Sequence, residues 1–120
     1  MLRIELARTH EPVAERVQVA RTWRARMVGL LAHRALPAGE ALFFPACNSI
    51  HMLGMRFAID AIFVSRDWRV VAVREGLSPG QLVLPVWRAW GVLEVSCGTA
   101  ERVGLKSGDQ LEVVDTTRWC

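Results

Sequence analysis

Apolar and polar residues alternate, or nearly alternate, in several short segments of the chain, which is typical of β-strands with one buried face. The first two predicted strands are Leu2–Ala7 and Val17–Ala20, separated by a turn at His10–Pro12. Short apolar runs predict further strands at Ala41–Phe44, Ala61–Val64 and Val92–Val95, and strands are also predicted at Ser49–Leu53, Trp68–Arg74 and Leu111–Val114. The pattern therefore predicts about eight short strands.

One segment has a helical period instead. Between Trp23 and Leu31, apolar residues recur at three- and four-residue intervals, which places them on one side of a helix. We predict a helix from Thr22 to His33, with Thr22 as its N-cap. Thr99–Val103 has room for one short helical turn.

Many strands and one sizeable helix near the N-terminus predict a mainly β fold, a small β-sandwich or barrel. A parallel βαβ sheet is not expected, because the alternating crossover helices are missing. The 120 residues are enough for one domain, so we assign residues 1–120 to a single domain. A hydrophobic share of 52% supplies a core without disulfides, and 22% charged residues argue against a disordered chain.

The charge balance is only mildly basic, with 15 Lys and Arg against 12 Asp and Glu. A net charge of +3 is small for a dedicated nucleic-acid binder. Weak nucleic-acid binding is kept as an alternative, through the arginines at 21, 24 and 26 of the predicted helix and the Trp87–Trp90 segment. An arginine stacked on one of these indoles is the simpler interpretation of that segment.

Charged residues and cysteine usage bear on the compartment. Arg3, Glu5 and Arg8 stand where a signal peptide needs an apolar stretch. The longest uncharged run, Ala41–Met55, is shorter than the ~18 residues of a membrane span. The three cysteines include no CxxC pair, which is typical of cytosolic thiols. We expect a cytoplasmic monomer or weak dimer with no membrane association.

The densest group of chemically versatile residues runs from Cys47 to His51 and continues from Arg56 to Asp60. We predict that His51, Arg56, Asp60 and Glu94 form a polar patch that binds a small molecule or a protein partner. Asp60 and Glu94 each interrupt an apolar strand, where a carboxylate has to be solvated, paired or hydrogen-bonded. The alternative for Asp60 is that it accepts backbone N–H groups, and either acid could lie on a solvent-facing side.

A second interpretation makes the protein a small hydrolase or thiol enzyme. On a strand, positions 47, 49 and 51 share a face, so Cys47 and His51 could point into one cavity. A zinc site there would need two more ligands, for which Cys97 and Asp60 are the candidates. The spacing does not demand them, and no nucleotide-binding or hydrolase signature is present. We therefore predict no metal and no cofactor, and leave open whether the protein is an enzyme.

Several short motifs, in this order and spacing, resemble one bacterial and archaeal family, the domain of unknown function 192. The matching segments are Val19–Thr22, Gly29–Leu31, Leu42–Phe44, Ile50–His51, Met55–Asp60, Val92–Val95, Gly98, Gly104–Leu105 and Gly108–Asp109. The resemblance covers about Val17 to Val114 and implies a compact, mainly β domain with no established activity. Met52 and Ala58 depart from the residues, Thr and Pro, that this branch of the family often has, and Met52 removes a polar group from that position.

Overall fold

The computed structural model describes residues 2–20, 36–52 and 55–115. These residues form nine strands and one helix. The strands are β1 (Leu2–Leu6), β2 (Pro12–Val19), β3 (Glu40–Pro45), β4 (Ile50–His51), β5 (Ile59–Val64), β6 (Val70–Leu77), β7 (Leu82–Val83), β8 (Gly91–Ser96) and β9 (Leu111–Asp115). The helix, α1, spans Thr99–Val103. The mainly β class predicted from the sequence is confirmed.

Seven strands form one sheet in the order β6-β5-β8-β3-β2-β1-β9, and β4 pairs with β7 in a small second sheet. Neighbouring strands of the large sheet are antiparallel except β2 and β3, which are parallel. The two ends of the large sheet approach each other, because Arg69 bridges to Gln110 just before β6 and β9 begin. The sheet is therefore curled into a half-barrel, and a sandwich is not confirmed.

The helix in the described part of the chain lies near the C-terminal end, not near the N-terminus. Thr99–Val103, predicted as one helical turn, forms α1, which ends at Gly104 in a left-handed conformation with φ 71°. The predicted helix from Thr22 to His33 lies outside the described residues.

The large sheet carries an apolar core on each face. The first core draws side chains from all seven of its strands and from α1, including Ile4, Phe43 and Leu93, and so fills the inside of the curl. The second core lies on the other face, where Ile50 of β4 packs with Ala61 and Phe63. Because successive residues of a strand point to opposite faces, β5 contributes to both cores, and all six of its residues are buried.

Candidate functional site

Asp60, one of the predicted site residues, has no exposed surface. Its Oδ1 atom accepts a hydrogen bond from the Gly76 N–H at 2.9 Å. Its Oδ2 atom accepts from the Gly98 N–H at 3.1 Å and from the Ala100 N–H at 3.0 Å. A buried carboxylate is stable when its oxygens receive such donors. Asp60 thus ties β5 to β6 and to the first turn of α1.

Local irregularities in the backbone bring these donors to Asp60. Between the Ile59–Leu77 and Ala61–Arg74 pairs, β6 has one more residue than β5, which is a β-bulge. Gly76 in this bulge has φ 59°, a left-handed conformation that glycine adopts at low cost. Gly98, with φ 95°, is the N-cap residue of α1 and has no side chain to cap the helix. The Asp60 carboxylate therefore supplies the cap from a distant strand.

Glu94 is also fully buried, but it lies on the other face of the sheet. It stands opposite Ala61 on β5, whereas Asp60 stands opposite Val95. Residues that are directly opposite each other share a face, and their neighbours along the strand point the other way. The structure therefore does not bring Asp60 and Glu94 into one pocket.

The structure gives no contact between Asp60 and the other two predicted patch residues, Arg56 and His51, in the part of the chain that it describes. Arg56 is exposed. His51 lies on β4, where its backbone pairs with Leu82, but its side chain is outside what the structure describes. An interaction between His51 and Asp60 stays a prediction.

A cleft of about 420 Å³ lies beside β4. It is lined by Ala46, Cys47, Asn48, Ser49, Ala89 and Trp90. The chain turns after β3 at Ala46, which has φ 53°. Two backbone hydrogen bonds then hold the walls together, from the Cys47 N–H to the Trp90 carbonyl and from the Val86 N–H to the Asn48 carbonyl, both 2.8 Å. The cleft is thus fixed by the backbone of two segments about 40 positions apart in the sequence.

The thiol of Cys47 is half-buried in this cleft and donates to the Ser49 carbonyl at 3.0 Å. Cys47 lies before β4 and not on it, since β4 comprises Ile50–His51 among the described residues of the predicted strand Ser49–Leu53. The shared strand face that was expected to align Cys47 with His51 is therefore not formed. Cys97, a candidate zinc ligand, is a free and exposed thiol.

Trp90 is the aromatic residue among those that line the cleft. Its ring centroid lies 6.0 Å from that of Phe43 in the first core, and the Arg66 guanidinium carbon lies 5.7 Å from its centroid. The predicted arginine–indole contact is present, with Arg66 of the β5–β6 turn as its cation. Sequence reasoning did not predict the cleft, although Cys47–His51 and Trp87–Trp90, the segments beside it, were both singled out.

Within the described part of the chain, one group of side chains has the composition of a metal site. Glu5, His10 and Glu112 place their ligand atoms within 4.8 Å of one another. Glu5 and Glu112 stand opposite each other on β1 and β9. The Arg3 Nε atom lies 3.1 Å from a carboxylate oxygen of Glu5, so an arginine already neutralises part of this charge.

Among the residues that the structure describes, no helix has the length and apolar character needed to cross a membrane. The arginines at 21, 24 and 26, proposed for nucleic-acid binding, lie outside the described residues.

Two crystal structures of bacterial proteins share this fold. One is a protein of unknown function from Novosphingobium aromaticivorans, 28% identical, with a TM-score of 0.75 over 92% of this chain and 82% of that one. The other, from Sinorhizobium meliloti, is named as a proposed transcription regulator. It is 22% identical, with a TM-score of 0.75 over 93% of this chain and 91% of that one.

A search of curated proteins found no significant match. The model of the family described as "Uncharacterized ACR", domain of unknown function 192, matches residues 4–113. The match begins closer to the N-terminus than the predicted region, which started at about Val17, and it ends at nearly the same place. The chain therefore belongs to the domain of unknown function 192 family.

Proposed function

We propose that the protein is a small-molecule-binding domain and that its ligand occupies the cleft between residues 46–49 and 89–90. The observation that carries this proposal is the combination of an aromatic residue, Trp90, with the polar residues Cys47, Asn48 and Ser49 in the lining of one concave site. A volume of about 420 Å³ is within the range of small-ligand pockets.

The chemistry of the cleft favours a flat ligand that carries a negative charge. Indole rings bind planar groups by stacking. The Arg66 guanidinium carbon lies 5.7 Å from the centroid of the Trp90 ring, so a cation adjoins the aromatic residue of the cleft. Guanidinium groups recognise carboxylates and phosphates through paired hydrogen bonds. An aromatic carboxylate or a nucleotide fits these requirements.

Asp60 supports the fold in this proposal and does not contact the ligand. Its oxygens accept hydrogen bonds from three backbone N–H groups, and its side chain is fully buried. The cleft lies next to one residue of the predicted patch: Ser49, which lines the cleft, directly precedes β4, and His51 is on β4.

Calorimetric titration tests the proposal with three probes: benzoate, indole-3-acetate and adenosine monophosphate. We expect saturable binding of at least one probe. Trp90→Leu is expected to weaken it about tenfold, which corresponds to about 1.4 kcal/mol. Trp68→Leu is the matched control. The ring centroid of Trp68 lies 4.5 Å from that of the same Phe43, and Trp68 is not among the residues that line the cleft. If none of the probes binds, or if both substitutions weaken binding equally, the cleft is not the site.

A further inference from the structure

A short segment beside β7 exposes three large apolar side chains in close succession. The exposed fractions of Leu82, Leu84 and Trp87 are 69%, 84% and 92%. Val83 and Val86, which lie between them, are half-buried and pack against the second core. We call Leu82, Leu84 and Trp87 the apolar strip. Large apolar groups that are exposed together in this way indicate a contact surface.

The backbone of the segment is held in place, so the strip is displayed by an ordered scaffold. The Met52 N–H donates to the Gln81 carbonyl at 2.8 Å, immediately before Leu82. After the strip's second member, the Val86 N–H donates to the Asn48 carbonyl at 2.8 Å, and the Ala89 N–H donates to the Val86 carbonyl at 3.0 Å. The apolar side chains therefore project from a backbone that is fixed on both sides.

Charge limits the kind of partner that fits. Residues 76–93 contain no acidic residue, and Arg88 is their single charged residue. Residues 41–59, which include the adjoining strand β4, contain no acidic residue either, and their one arginine, Arg56, is exposed. The two segments therefore combine exposed apolar side chains with arginines and contain no acidic residue. Such a surface complements one that is both apolar and negatively charged.

We infer that the apolar strip docks on the surface of an anionic lipid bilayer. Indole rings partition to the boundary between headgroups and acyl chains, and arginine is attracted to anionic headgroups. Pro85 lies at the centre of the strip and has no N–H group, and the N–H of Val86 is already bonded. Positions 85 and 86 therefore leave no backbone donor without an acceptor at the centre of the strip. The proposed contact is peripheral, and it differs from the expectation of no membrane association made from the sequence.

Co-sedimentation with vesicles tests this inference. The full chain is mixed with vesicles of phosphatidylcholine and phosphatidylglycerol in a 7:3 ratio, or of phosphatidylcholine alone. We expect at least tenfold stronger partitioning onto the anionic vesicles, and weaker binding as salt is raised. Leu84→Ser combined with Trp87→Ser is expected to abolish sedimentation. Arg88→Glu is expected to weaken it at least fivefold.

The control is Val113→Ser, which removes an exposed apolar side chain on β9 and should sediment like the wild type. Both strip substitutions are at exposed positions, and an unchanged thermal transition verifies that the double variant is folded. The inference is overturned if the wild type does not sediment with anionic vesicles, or if the double variant sediments equally well. It is also overturned if the wild type is a dimer that the double variant dissociates, since a second copy of the chain then covers the strip.

Discussion

Asp60 and Glu94 are buried acids on neighbouring strands whose side chains project from opposite faces of the same sheet. Glu94 stands opposite Ala61 and so belongs to the face of the second core, whereas Asp60 faces α1. The two acids cannot line a common pocket. The role of Asp60 is evident from its three backbone donors.

Replacing Asp60 by Asn should destabilise the protein strongly. The amide has one oxygen in place of two, and its NH₂ group would face backbone N–H donors that then lose their acceptor. We expect a loss of about 2–4 kcal/mol in the free energy of unfolding, measured with urea.

Glu75→Gln is the matched control for this change. Glu75 is exposed and adjoins Gly76 in the same bulge, so its substitution should change stability by less than about 0.5 kcal/mol. An equal effect of the two substitutions would show that the three hydrogen bonds are not what makes Asp60 important.

Gly91 is needed because Phe43 leaves no space for a side chain. A Cβ atom at position 91 would lie 2.5 Å from the Phe43 Cζ atom and 2.6 Å from its Cε1 atom. Gly91→Ala should therefore cost about 1–3 kcal/mol of stability. In a Phe43→Leu background the same substitution should cost clearly less, because the conflicting ring atoms are gone. Additive losses in this double-mutant cycle would contradict the explanation.

The carboxyl of Asp109 should make stability depend on pH in acid. Burial opposes its ionisation, but the backbone N–H of Lys106 and the guanidinium of Arg8 outweigh this effect, so its pKa is lowered. Lys106 donates at 3.0 Å and the Arg8 Nε atom at 3.2 Å. A carboxyl with a lowered folded-state pKa stabilises the fold fully above its unfolded pKa of about 3.9. That contribution disappears as the pH falls through the folded-state pKa.

Asp109→Asn should therefore melt at a lower temperature than the wild type at pH 7, and the difference should shrink below about pH 4. Melting temperatures measured from pH 7 to pH 2.5 check this expectation. A difference that stays constant over the whole range would show that the ionised carboxylate does not provide the stabilisation.

The two described cysteines should differ in reactivity. Cys97 is exposed, whereas Cys47 is half-buried and its thiol donates to the Ser49 carbonyl. In a Cys120→Ser background, iodoacetamide should modify Cys97 at least tenfold faster than Cys47 at pH 7, as measured by peptide mass spectrometry. A faster reaction at Cys47 would instead support the alternative of a thiol enzyme.

The positions of most strands could be predicted because short apolar runs and apolar alternation are local properties of the sequence. The start of β2 at Pro12 was missed, since Val13 and Ala14 are consecutive buried residues and break the alternation. Asp60 was recognised as unusual, and the interpretation that it accepts backbone N–H groups agrees with the structure. Its separation from Glu94 depends on the register between β5 and β8, which neither strand encodes alone. The cleft joins two distant segments through backbone hydrogen bonds, and such contacts leave no pattern of side chains in the sequence.

The most direct test of ligand binding at the cleft is a ¹H–¹⁵N correlation spectrum recorded during titration with the probe that binds most tightly in calorimetry. We predict that the largest shifts occur at the amides of Cys47, Asn48 and Ser49 and at the indole N–H of Trp90. The amide resonances of Gly76 and Gly98, whose N–H groups donate hydrogen bonds to Asp60, should not shift. Shifts centred on these two amides, with none at Trp90, would contradict the account and return the binding site to Asp60.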